Sequence, residues 1–273
     1  MIDYHLHTDY TWDARGKVGD FCEVAIEKKM DEIAFTNHFN ITKIDEPRGS
    51  ITPQQIFEHA KNIQSAREKF DLKIKLGLEC DYWQEYHKDI EKILDEHDFD
   101  FIMGSVHYVE GILIASDLET ATSFFQGKSI YEAFEAYFKR AIEAIESQLF
   151  DVIAHPDYIR KTATKFYGQD LQFERYIDLV EKVIESLIDN KVGIEVNTSG
   201  YIHGMGDSLP SLDFLKLCKE AGIKTVTLGS DAHSPIKLGY KLEEGIKKLR
   251  AAGYEKITLF NLRKEKQIPI GQL

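Results

Sequence analysis

Short apolar runs alternate with longer amphipathic stretches along the whole chain, and no proline- or glycine-rich linker interrupts them. Strand-then-helix units in series are the pattern of a parallel α/β structure, whose strands are buried on both faces. Strands are predicted at Ile2–Thr8, Glu32–Asn37, Leu72–Tyr82, Phe99–Val106, Asp151–Ala154, Val192–Asn197, Thr225–Gly229 and Lys256–Phe260. Helices are predicted at Val18–Met30, with Phe21, Val24, Ala25 and Ile26 on one side, and from Pro53 to Phe70. Further helices are predicted at Tyr86–Glu96, Ile130–Leu149, Leu171–Asn190, Leu212–Ala221 ended by Gly222, and Lys241–Ala252 ended by Gly253. Tyr108–Gly127 has no clear period and reads as an irregular excursion, a candidate lid by length alone. Seven or eight such units favour a distorted parallel (β/α) barrel, TIM-like, as a single domain over residues 1–273. No G-x-G-x-x-G or phosphate-binding G-x-x-x-x-G-K-[ST] motif follows the first strand, which disfavours an open nucleotide-binding sheet.

Charge narrows the partners. A formal net charge of −12 argues against a broad footprint for nucleic acid or anionic membrane. It leaves an anionic small-molecule substrate open, because bound cations reverse the field locally. Cys22, Cys80 and Cys218 are odd in number and lack C-x-x-C spacing, so neither a disulfide framework nor a cysteine zinc knuckle is expected. With no basic leader ahead of an apolar stretch and no long apolar run, the expectation is a cytoplasmic protein that is not membrane-bound; oligomeric state is not readable.

Metal-type residues recur at one place in unit after unit, the carboxyl-terminal end of the predicted strand. His5 and His7 lie two apart on the first strand, so their rings leave one face about 6–7 Å apart along the chain. His38 follows Ile33-Ala34-Phe35-Thr36-Asn37, Glu79 lies in Gly77-Leu78-Glu79-Cys80-Asp81, and His107 follows Ile102-Met103-Gly104-Ser105-Val106. His155 follows Asp151-Val152-Ile153-Ala154, Glu195 sits in Gly193-Ile194-Glu195-Val196-Asn197, and Asp231 and His233 close the strand at Thr227. A single histidine after a strand is ordinarily a hydrogen-bonded loop residue. Six of the ten histidines sorting to strand ends is another matter, because a barrel gathers those ends at one mouth. His59, His87, His97 and His203 fall elsewhere.

Taken together, His5-Leu6-His7, Asn37-His38, Gly77-Leu78-Glu79, Gly104-Ser105-Val106-His107, Ala154-His155-Pro156-Asp157 and Gly229-Ser230-Asp231-Ala232-His233 resemble the PHP (polymerase and histidinol phosphatase) family, in the family's order and over almost the whole chain. The length, the His155-Pro156-Asp157-Tyr158 segment and the run Asn197-Thr198-Ser199-Gly200 are most similar to its histidinol-phosphate phosphatase branch. The resemblance implies a trinuclear centre of divalent transition metals at the barrel mouth. One metal would take His5, His7, Glu79 and Asp231, and a second Glu79 as a bridge with His107 and His155. The third would take His38, His233 and Asp13, where many members carry a histidine; the harder carboxylate leaves that metal's identity open.

Mixed imidazole and carboxylate donors suit Zn, Mn or Fe, whereas Mg or Ca would want mostly oxygen. Three divalent ions bring roughly +6 and the carboxylates of Asp13, Glu79 and Asp231 return about −3, leaving charge to hold a phosphate dianion and a hydroxide. A bridged metal pair lowers the pKa of bound water to about 7 and aims it for in-line attack. The expected activity is therefore phosphomonoester hydrolysis, with Glu79, Asp231 and His233 at the reacting centre and L-histidinol phosphate as the substrate the resemblance implies. The same centre would serve a phosphoesterase acting on nucleotides, nucleic-acid ends or phosphotyrosine. A catalytically silent domain of the same fold is the remaining reading. Arg160 is the first candidate for gripping phosphate bidentately and Arg15 the second. Glu195 is a candidate partner for a ligand, and Asp157 could orient an imidazole or cap its loop.

Overall fold

The computed structural model describes residues 1–41, 50–115 and 118–273. In chain order the strands begin with β1 (Ile2–Leu6), β2 (Glu32–Phe35), β3 (His38–Asn40), β4 (Lys73–Asp81), β5 (Phe101–Ser105), β6 (Tyr108–Val109) and β7 (Ile112–Leu113). They continue with β8 (Val152–Ile153), β9 (Gly193–Asn197), β10 (Val226–Gly229), β11 (Lys256–Asn261) and β12 (Lys264–Pro269). The order β1-β2-β4-β5-β8-β9-β10 is parallel throughout. β3 carries the path of β2 onto the upper half of β4, with Phe35 opposite Leu76 and then His38 opposite Glu79. Beyond β10 the chain returns to β1: the His7 amide donates to the Ala232 carbonyl (3.0 Å) and the Ala232 amide to that of His5 (3.2 Å). The sheet is thus the TIM-like barrel that the alternation predicts.

Around it run α1 (Val18–Glu27), α2 (Pro53–Lys69), α3 (His87–Asp95), α4 (Leu118–Ser123), α5 (Ile130–Glu146), α6 (Arg160–Tyr167), α7 (Ile177–Asn190), α8 (Ser199–Ile202), α9 (Leu212–Glu220) and α10 (Leu242–Ala251). The sequence starts two of them with reciprocal caps. Thr52 accepts from the Gln55 amide and Ser129 from that of Glu132, and the Gln55 and Glu132 side chains bond back.

The seam between β1 and β10 is sealed by a side chain. Asp3, fully buried, accepts from the amides of Ser230 (2.8 Å), Gly239 (2.9 Å) and His5 (3.3 Å) and from the Ser230 hydroxyl. Burial pushes its carboxyl up to about 6 against those donors, which favour the charged form. At the opposite end of the barrel from the strand C-termini, Tyr4 packs edge-on to Phe101 (5.3 Å), and Phe101 stacks on Phe260 (4.9 Å). The Phe260 amide donates to the Tyr4 hydroxyl (3.0 Å), which donates to Glu32.

Several elements depart from the pattern. Lys256–Phe260 is not a barrel strand, because Leu262 and Arg263, both at positive φ, turn the chain back and pair β11 antiparallel with β12. The predicted helix from Leu171 starts only at Ile177. Tyr176 is drawn onto Phe134 (4.0 Å between rings) with φ −142°, outside helical geometry. In α1 the buried face is Val18, Phe21, Cys22 and Ala25, while Ile26 faces solvent. The segment Tyr108–Gly127 is more ordered than its lack of period suggests, holding the β6–β7 hairpin, α4 and the buried rings of Phe124 and Phe125; its residues 116–117 lie outside the described ones. Among the described residues no helix is long and apolar enough to cross a membrane.

Candidate metal centre

Strand alternation and barrel closure bring His5, His7, Asp13, His38, Glu79, His107, His155, Asp231 and His233 to one mouth, with Glu79 at the middle. Its Oε1 faces His155 Nε2 (2.9 Å) and His107 Nε2 (3.6 Å). Its Oε2 faces His38 Nδ1 (2.6 Å), His5 Nε2 (3.4 Å) and His7 Nε2 (3.6 Å). Asp231 Oδ1 lies 3.2 Å from His7 Nε2 and 3.6 Å from His5 Nε2. Asp13 Oδ2 lies 3.3 Å from His233 Nε2 and 3.6 Å from His38 Nε2. The donors fall into overlapping groups: His5, His7 and Asp231; His5, Glu79 and His155; His38, Glu79 and His107; His7, His38 and His233. His38 is thus shared between the Glu79 and Asp13 sides of the cluster.

The supporting bonds orient the imidazoles. Carboxylate and carbonyl oxygens can only accept from a ring N–H, so each fixes the tautomer of its partner. His5 Nδ1–H donates to Glu195 Oε1 (2.7 Å), His107 Nδ1–H to Asp81 Oδ2 (3.1 Å) and His233 Nδ1–H to the Asp231 carbonyl (3.0 Å). Each Nε2 is turned toward the carboxylates and is the nitrogen whose lone pair the neutral ring offers to the site. Glu195 is itself held by the His155 amide and Asn197 Nδ2, both at 3.0 Å, and Asp81 also accepts from the His107 amide (2.8 Å). Gly229 has to lack a side chain here, since a Cβ would run into the Glu195 carboxylate and His5. His155 (φ 29°) and Asp231 (φ 55°) are held at positive φ, a strain of roughly 1–3 kcal/mol each that turns their side chains inward.

A divalent cation fits this set. His5 Nε2, both ring nitrogens of His7, Glu79 Oε2 and His155 Nδ1 are buried without a hydrogen-bond partner among the described residues. Lone pairs orphaned in this way cost about 1–3 kcal/mol each, and a bound cation is what satisfies several at once. The electrostatics without metal reflect the crowding. Burial would raise the Glu79 carboxyl, but the imidazoles of His38, His5 and His107 hold it well below the carboxylate range. Burial, His38 and His233 together drive His7 well below its ordinary value. The floor of the site is dry, with His5, His7 and Glu79 fully buried, whereas the side chains of Asp13, His38 and His233 keep 33, 20 and 31% exposure at the rim.

The cations fall differently from expectation. Arg160 is bound by Asp157 and Asp207, each at 3.1 Å, so its guanidinium is neutralised within the framework. Asp157 takes that role, and accepts the Ser211 amide (2.8 Å), rather than orienting an imidazole. Arg15 is exposed, and its amide donates to the His233 carbonyl (2.9 Å). Sequence reasoning passed over Lys161, whose Nζ donates to the Tyr158 hydroxyl (2.8 Å). Burial lowers this ammonium to about 8, Asp231 and Asp13 pulling it up and Lys165 down. Asp81, two residues after Glu79 and on the same face of β4, was also missed, although the alternation was there to find it.

His59, which falls on α2 and away from the strand ends, is buried beneath the mouth. Asn37 Nδ2 donates to its Nε2 (3.3 Å), while Asn37 Oδ1 accepts the Thr8 amide (2.7 Å), so His59 steadies the loop beside His38. Burial drives His59 down to about 3. A base so depressed stabilises the fold above its unfolded value near 6.5 and loses that contribution as pH falls toward 3, by about 1.4 kcal/mol per pH unit. The excess urea stability of the wild type over His59→Gln should therefore shrink between pH 7 and 4.5. An excess constant across that range would show that His59 is not the group titrating.

A probable histidinol-phosphatase of Deinococcus radiodurans is 26% identical over 260 residues, covering 94% of this chain and 96% of the relative. The histidinol-phosphatase of Lactococcus lactis is 24% identical over 263 residues, covering 95% of this chain and 94% of the relative. Among solved structures, a Lactococcus lactis histidinol phosphate phosphatase complexed with zinc, L-histidinol and phosphate superimposes with a TM-score of 0.80 at 23% identity, over 97% of this chain and 98% of that one. The family model for the PHP domain matches residues 3–199, well over half of the 273, and the chain belongs to that family.

Proposed function

We propose that this chain is a metal-dependent phosphomonoesterase that hydrolyses L-histidinol phosphate to L-histidinol and phosphate. The observation that carries the reading is the convergence of buried imidazole nitrogens on both oxygens of Glu79, with Oε2, His5 Nε2 and both nitrogens of His7 left without a hydrogen-bond partner among the described residues. The substrate is inferred from relatives that share nearly the full length of the chain and bear the histidinol-phosphatase name.

In this reading His5, His7, Glu79 and Asp231 would hold one divalent ion, and Glu79, His107 and His155 would hold a second. Asp13, His38 and His233 hold a third, with Zn, Mn or Fe as the metals suited to the donor set. Bound there, the ions supply Lewis acidity for the phosphoryl oxygens and acidify water near neutral pH. The chain's own residues do the rest. Glu195 and Asp81 keep the His5 and His107 rings in the tautomer whose Nε2 lone pair faces the site. Glu79, Asp231 and His233 are the residues assigned to the reacting centre, and Asp231 also fixes the His233 ring through its carbonyl. The dry floor excludes bulk water from everything but the rim. Arg15 stands outside as a rim cation.

Elemental analysis joined to a substrate panel tests the proposal. The purified chain should carry divalent transition metal, and kcat/KM for histidinol phosphate should exceed that for nucleoside monophosphates and phosphotyrosine by at least about tenfold. A lead for another phosphomonoester would reassign the substrate. Less than one metal per chain, with no activity gained on reconstitution, would favour a silent domain.

A further inference from the structure

Arg160 and Lys161 are consecutive residues at the start of α6, and helix geometry turns consecutive side chains about 100° apart. One faces the framework and the other the mouth. The framework residue takes all the carboxylates on offer: Arg160 binds Asp157 and Asp207, and Asp207 is shared with Lys248. Lys161 receives none. Among the described residues its ammonium forms no ion pair and has a single hydrogen-bond acceptor, the neutral Tyr158 hydroxyl at 2.8 Å. Tyr158 in turn is wedged against the cluster, its ring 4.6 Å from that of His155 and 5.3 Å from that of His107. The ammonium is thus held over the donor set by a side chain that cannot neutralise it.

A largely buried cation without a counter-ion is costly unless a ligand supplies the missing charge. We propose that Lys161, held in place by Tyr158, is the side chain that binds the phosphoryl group of the substrate, and that Arg160 serves to fix the loop around Asp207. The ligand class is a phosphomonoester dianion, whose non-bridging oxygens accept from Nζ; the inference rests on the phosphomonoesterase reading above. A lysine meets such a dianion as a point charge, so arginine in its place should restore charge but not fit.

Inorganic phosphate titrated into the metal-loaded protein by calorimetry tests the assignment, with elemental analysis on each variant to establish that the centre is intact. Lys161→Met should weaken phosphate by at least about thirtyfold and raise KM for the ester in step, with metal content unchanged. Lys161→Arg should recover part of the affinity. If Lys161→Met binds phosphate within about twofold of the wild type at full metal content, Lys161 is not the phosphate ligand, and the phosphatase reading stands. If the metal-loaded wild type neither binds phosphate nor hydrolyses any phosphomonoester, the phosphatase reading fails and this inference with it.

Discussion

Glu79→Ala should cost at least about a thousandfold in phosphomonoesterase activity and lower the metal content at two positions together, because the two carboxylate oxygens face different donors. Oε1 looks to His155 and His107, Oε2 to His38, His5 and His7. Metal ions contribute several kcal/mol of transition-state stabilisation, and each 1.36 kcal/mol is tenfold in rate, which sets the scale of the loss. The variant also removes the negative charge that His5, His7 and His38 face at Oε2, where the His7 and His38 rings lie 4.2 Å apart. Elemental analysis and kcat/KM on the same preparation give the answer. Full metal content in the variant would refute the bridge.

The second large effect is on stability. Asp3→Ala should lower the free energy of unfolding by about 3–5 kcal/mol, since it strips the acceptor from buried donors at once: the Ser230, Gly239 and His5 amides and the Ser230 hydroxyl. Asp3→Asn should recover part of this by keeping one acceptor oxygen. The acid form of Asp3 complicates the wild type in a definite direction. Its folded value of about 6 lies above the ordinary one, so protonation favours the fold at low pH and that gain disappears as pH rises through 6. The comparison belongs at pH 7, where the carboxylate is charged and fully bonded. A urea midpoint unchanged in Asp3→Ala would mean that the β1–β10 seam is held by the backbone alone. Because that seam carries His5 and His7 on one side and Asp231 and His233 on the other, metal content should fall with stability.

Most of the cluster was legible because two periodicities do the sorting. Alternation along β1 points His5 and His7 the same way, and barrel closure carries the ends of β1, β4, β5, β8 and β10 to one mouth. Those rules need only the strand ends, which the sequence marks clearly. They are silent about pairing between distant segments. Arg160 and Lys161 look equivalent in sequence, and only Asp207, on a loop far along the chain, decides which of them is neutralised. His59 sits among polar neighbours in α2, away from the strand ends, yet it lies on the face of that helix that meets Asn37. The terminal hairpin was missed for a similar reason. Lys256–Phe260 has strand composition, and nothing in that composition says whether the strand joins the barrel or lies beneath it. The turn at Leu262 and Arg263 settles that locally.

The aromatic stopper of Tyr4, Phe101 and Phe260 gives the molecule the topology of a flask rather than a tube. A flask has one neck. Whatever enters past Asp13 and His233 must leave past them, and two products cannot use separate doors. Ions held at this neck would draw a charged product back as it left, so the shape of the barrel bears on departure more than on bond cleavage.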